Sequence, residues 1–106
     1  MERDEDRFWE SAASLLTNHD VTRSTMMGLP CLRVRGAFFA AFDRATGNLM
    51  FKVPASRVAQ LVAAGDGLPV APAGRIFREW VAIPPEAVDT WPGYLDEGFA
   101  FVSSSN

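Results

Sequence analysis

The chain carries few side chains able to make or break bonds. It holds one histidine, His19, and one cysteine, Cys31, so neither a metal-ligand cluster nor an intramolecular disulfide can be assembled. His19 could act as a general base, but no serine, cysteine or carboxylate constellation points to it, and it reads as an exposed residue at a loop start. Cys31 could act as a nucleophile, with Arg33 nearby to lower its pKa; at the start of a strand it reads as a buried or idle thiol. The stretch GDGLPVAPAGR, residues 65–75, could cradle a phosphate through backbone amides, yet it lacks the lysine and Ser/Thr of a P-loop and reads as an ordinary ordered loop or an irregular edge. No catalytic residue, cofactor or metal is expected.

The cations remain. Arg33 and Arg35 alternate with Leu32 and Val34, which places both on one face of a strand. If the neighbouring strands pair in register, Arg23 and Lys52 join them in a basic strip on the sheet face away from the helices. Arg75 and Arg78 follow the glycine-rich loop. These six residues are the candidates for binding an anion or nucleic acid, since arginine grips phosphate with two parallel hydrogen bonds. The competing reading is that they are solvated, or pair with acidic helices in the same fold or across a dimer, at about 0–1 kcal/mol per pair. Trp9, Trp80, Trp91 and Tyr94 could stack bases, but their places in amphipathic stripes and a β run assign them to core or helix-sheet contacts.

The charge layout is segmented. Residues 1–20 carry six acids against two arginines, net −4; residues 23–78 carry eight bases against two acids, net +6; from Glu79 onward five acids meet no base, net −5. The total of −3 and the pI near 5.0 count against nonspecific phosphate binding. With 106 residues, 48% of them hydrophobic, the chain reads as one domain, residues 1–106, able to bury a core unaided. No apolar run approaches the ~20 residues that cross a bilayer, and MERDEDRFWE begins acidic where a secretory signal begins basic, so the expected location is cytoplasmic, without membrane contact.

Periodicity supplies the elements. Phe8, Ala12, Leu15 and Leu16 form a helical stripe over about 3–17, with Asn18, His19 and Asp20 stopping it. From Val21 the period becomes 2: VTRSTMM, LRV and LMFKV alternate, and AFFAAF, apolar on both faces, is a central strand. Arg35-Gly36 and DRATGN read as the connections of an antiparallel meander, which buries Leu32, Val34, Phe38, Leu49 and Phe51. A second helix spans Ala55 to Ala64, with Val58, Leu61 and Val62 on one face and Gly65 as its left-handed cap. REWVAI is the last strand. Thr90 is the expected N-cap of a final helix striped by Trp91, Leu95, Phe99 and Val102, with SSSN fraying beyond it. The sum is α+β: a two-layer sandwich, an antiparallel sheet of about 4–5 strands covered on one face by about three helices.

In order and spacing, RSTMMG, RGAFFAAFD, GNLMFKV, AGRIFREWVAIP and W-x-x-Y-L-D-E-G-F-A-F-V resemble the N-terminal domain of the TfoX/Sxy competence regulators and the related MmcQ/YjbR family, over about Val21 to Val102. The resemblance implies a compact α+β fold with an antiparallel sheet and no established catalytic site. TfoX-like proteins are linked to transcriptional control of competence, and YjbR-like proteins carry a provisional DNA-binding label. Two features differ from the pattern: Ala37 stands where the family often has lysine, and the second, C-terminal domain of full-length regulators has no counterpart here. The expected function is a small non-enzymatic binding or regulatory module acting on a protein partner not named by the sequence, with a homodimer among the expected forms. DNA or another anion on the basic sheet face is the alternative.

Overall fold

The structure, a computed structural model, describes residues 4–105. The polar start of the chain folds as helix α1, Asp4–Ser11, then breaks, so that Leu15–Thr17 form a separate 3-10 turn rather than continuing the helix. Phe8 and Ala12 still reach the core, fully buried, while Leu15 and Leu16 pack on its margin. Arg3, the expected start, lies outside the described residues.

Strand β1, Val21–Met26, returns through Met27-Gly28 into β2, Leu29–Val34, and β2 returns through Arg35-Gly36 into β3, Ala37–Asp43. In both loops the two residues have positive φ, 52° and 83° in the first and 48° and 85° in the second, which is the geometry that matches the twist of a two-residue hairpin. Strand β4, Asn48–Lys52, follows a longer loop in which the Asp43 carboxylate accepts from the Ala45 amide and the Thr46 hydroxyl. Helix α2, Ala55–Ala63, then leads into a two-residue edge strand β5, Leu68–Pro69. Strand β6, Trp80–Ile83, inserts between β4 and β5, giving a six-stranded antiparallel sheet of order β1-β2-β3-β4-β6-β5. A 3-10 segment, Pro85–Thr90, precedes helix α3, Trp91–Ser105.

The architecture is α+β, with the strand count six rather than four or five. The extra strand is β5, a two-residue edge in the glycine- and proline-rich stretch that reads as an ordered loop or an irregular edge. All three helices lie on one side of the sheet. They cover Leu32, Val34, Phe39, Leu49, Phe51, Val81 and Ile83, with Trp91, Leu95 and Val102 of α3 and Val58 and Leu61 of α2 closing the layer. Burying side chains of this size contributes about 1.5–3 kcal/mol each.

Three details differ from the sequence reading. Val62 of α2 is exposed, because positions 58 and 61 already point at β6 and 62 falls a further 100° round the helix. The Thr90 hydroxyl donates back to the Ala87 carbonyl at 2.6 Å instead of capping α3. The serines expected to fray are helical: the Ser104 and Ser105 hydroxyls donate to Ala100 and Phe101 carbonyls at 2.6 and 2.9 Å, and the helix runs through Ser105, while Asn106 lies outside the described residues.

Candidate functional site

The register decides which side chains share the face that the helices leave open. In β1 and β2, Thr22 stands opposite Arg33 and Ser24 opposite Cys31; further across, Arg33 opposes Phe38, Ala41 opposes Met50, Met50 opposes Ala82, and Lys52 opposes Trp80. Opposed residues point to the same side of a sheet. The open face therefore carries Arg33, Phe38, Met50, Lys52 and Trp80, all half-buried, around Cys31, Ala41 and Ala82, which are buried between them. Leu68 continues it at the β5 edge, 49% exposed.

A bulge explains why Phe38 is here. The pairing of β2 with β3 shifts between Leu32 and Arg33, so Ala40 opposes Leu32 while Phe38 opposes Arg33. The extra residue, Phe39, turns to the helices and meets Phe99 edge-on at 5.9 Å. The expected core place of Phe38 thus belongs to Phe39. A single inserted residue flips every later side chain to the other face.

The six candidate cations do not form one strip. Arg33 and Lys52 lie on the open face. Arg23, opposite Leu32, points to the helix side, where its guanidinium sits 4.0 Å from the Trp9 ring centroid. Arg35 occupies a turn position, leaves the strand alternation, and reaches Asp20 at 3.1 Å and the Ser103 carbonyl at 2.7 Å. Arg75 and Arg78 are exposed in the loop before β6, where with Lys52, Ile76, Phe77 and Trp80 they line a shallow depression of about 350 Å³. A second open cleft of about 500 Å³ shares Lys52, Glu79 and Trp80 and adds Phe38 and Phe101.

Cations outnumber acids here only when the adjoining depression is included: Arg33 and Lys52, with Arg75 and Arg78 beside them, stand against Glu79, 3.9 Å from Lys52, and Asp43, whose carboxylate accepts within its own hairpin loop. The Arg33 guanidinium stacks 4.3 Å from the Phe38 centroid, and its Nε is shielded from solvent without an acceptor among the described residues. Away from this face, Glu97 of α3 grips Arg57 through two bonds of 2.9 and 3.0 Å, and Glu5 of α1 takes Arg44 at 3.0 Å.

The remaining reactive groups are placed as follows. Cys31 has no exposed surface, and burial pushes its thiol up, against a Ser24 hydrogen bond and the Arg33 charge that pull it down. The expected lowering by Arg33 is the smallest of the three effects. The thiol stays protonated at neutral pH and is a poor nucleophile. His19 is exposed in the turn before β1. Of the aromatics, Trp91 is fully buried, Tyr94 stacks on Phe51 at 5.1 Å, Trp9 lies under Arg23, and Trp80 alone belongs to the open face. Among the described residues, no group of three or more His, Cys, Asp or Glu could hold a metal ion, and no helix is long and apolar enough to cross a membrane.

Comparison with known proteins returns nothing for this arrangement: no family model, no curated protein and no solved structure matches the chain. The face must be read from its own chemistry. Phe38, Met50 and Trp80 were legible in the sequence as β residues, but their common exposure was hidden by the bulge and by the strand order.

Proposed function

We propose that the protein is a small non-enzymatic binding module of the TfoX/Sxy N-terminal type, which works through protein–protein contacts made on the open face of its sheet. The observation that carries this reading is the face itself. Phe38, Met50 and Trp80 form an apolar centre that no described helix covers, framed by Arg33 and Lys52. Interfaces concentrate aromatic residues, Met and Arg in this way. The charge selects an acidic partner, with a carboxylate answering the Arg33 guanidinium. The resemblance to competence regulators connects such contacts with transcriptional control.

The second reading is nucleic-acid or other anion binding. It is favoured by Lys52, Arg75 and Arg78 around the depression that also holds Phe77, 42% exposed, and Trp80. Cations beside aromatic rings suit a single strand better than a duplex.

An amide NMR titration separates the two. The probes are a peptide of glutamates interleaved with leucine and phenylalanine, a DNA duplex, and a DNA single strand. The peptide is expected to shift the amides of Arg33, Phe38, Met50, Lys52 and Trp80, with Phe101 at the rim of the shared cleft, and to leave α1 and the first half of α3 unmoved. Arg33→Glu together with Lys52→Glu should weaken it about tenfold or more. Shifts caused by DNA alone, fading as salt rises, favour the second reading. Shifts confined to the helix side contradict both.

A further inference from the structure

We propose that two copies of the chain join edge to edge through β1, related by a two-fold axis at Ser24, so that two six-stranded sheets become one continuous sheet. The two ends of the sheet are unlike. Strand β5 has two residues, one of them Pro69, and the adjoining Val70 carbonyl already accepts from the Phe77 amide at 2.9 Å, so that edge is blunted. Strand β1 has six residues, without proline, lysine or bulge.

The phase of its backbone is fixed by the bond from the Arg35 amide to the Asp20 carbonyl, 2.8 Å, next to the Val21–Val34 pair. Antiparallel bonding alternates residue by residue. Asp20, Thr22, Ser24 and Met26 therefore bond inward to β2 or the turn that follows it, and Val21, Arg23 and Thr25 face outward. The Val21 amide is used by the Asn18 carbonyl at 3.1 Å. The N–H and C=O of Arg23 and of Thr25 remain, with no backbone partner among the described residues.

An axis at Ser24 places Arg23 of one copy opposite Thr25 of the other, twice, and forms four backbone hydrogen bonds. An axis at Arg23 would set two arginines face to face, which costs free energy. The Arg23 side chain does not obstruct the approach, because it lies back over Trp9. The same register brings Met27, 98% exposed at the hairpin tip and the most exposed of the large hydrophobics, opposite Val21 of the other copy. Face-to-face association is disfavoured instead, since it would bring Arg33 and Lys52 of both copies together. Edge pairing about this axis puts both open faces on one side, doubling the cationic apolar surface. The inference does not depend on what that surface binds.

Sedimentation of the wild-type chain is expected to give twice the 11.6 kDa chain mass. Thr25→Pro removes an amide that no internal bond uses, so it should halve the mass and leave the circular dichroism spectrum intact. As a check independent of that variant's folding, single cysteines are placed in a Cys31→Ala background and oxidised. Across the axis the two Ser24 positions form a non-hydrogen-bonded pair, with Cα atoms about 4.5 Å apart, within disulfide reach. Ser24→Cys should cross-link into dimers well ahead of Thr22→Cys and Met26→Cys. A monomeric mass for the wild type, or equal cross-linking at all three positions, overturns the proposal.

Discussion

Trp91→Ala is expected to lower the free energy of unfolding by about 3–5 kcal/mol. Trp91 is the largest fully buried side chain, with 0% exposure, and it sits where the 3-10 segment becomes α3. Its ring lies 6.4 Å from that of Phe42, centroid to centroid, and its indole N–H reaches the Pro84 carbonyl at 3.4 Å. Truncation opens a cavity that the sheet on one side and the helix on the other are too well tied to close. For a domain of this size the melting temperature should fall by about 15 °C or more. Trp91→Phe keeps a ring and gives up the bond to Pro84, so its loss should be smaller. Urea melts of both variants check the order; a loss below about 1 kcal/mol for Trp91→Ala would place Trp91 outside the core.

Gly98→Val carries the second large effect. Gly98 is buried in the middle of α3, where a glycine normally weakens a helix by about 1 kcal/mol relative to alanine. The reason it stands there is the closeness of the sheet. A Cβ on Gly98 would lie 3.1 Å from the Phe39 carbonyl, 3.4 Å from the Lys52 carbonyl and 3.5 Å from the Phe51 Cβ. Backbone atoms of two strands cannot give as the end of a side chain can. Valine adds two further carbons into that contact, and a cost of about 2–3 kcal/mol follows. The displacement would be passed through β3 and β4 to Phe38, Met50 and Lys52 on the other face, so binding on that face should weaken together with stability. Gly98→Ala separates the two contributions: the helix gains propensity while the contact tightens by a few tenths of an ångström, and the net change should be small. Chemical denaturation measures both, and equal stability of wild type and Gly98→Val would contradict the packing described here.

Much of the fold was legible in period and punctuation. The helical stripe of α3, the alternation of β4 and the Gly36 and Gly65 positions with φ of 85° and 80° follow directly from residue types. The open face was not legible, for reasons that particular residues show. Arg23 was expected beside Arg33 and Lys52, but the two-residue loop Met27-Gly28 sets Thr22 opposite Arg33, and that one-residue offset sends Arg23 to the helix side. Arg35 was expected on the strand, yet Arg35-Gly36 forms the whole of the next hairpin loop. Phe38 was expected in the core, and the bulge gave that place to Phe39. Alternation within one strand is a local signal. Which strand lies next to which, and in what register, depends on loop lengths and bulges that alternation does not encode.

The central claim is that the open face of the sheet, not the helix side, meets the partner. A photoreactive amino acid placed at Met50 in cells that express the protein natively tests it most directly, with the same group at the exposed Ser56 of α2 as control. Covalent adducts sensitive to protease are expected from Met50, absent from Ser56, and lost when Lys52→Glu is added. Adducts from Ser56 alone, or from both positions equally, would contradict the account, and nuclease-sensitive adducts from Met50 would transfer the face to nucleic acid.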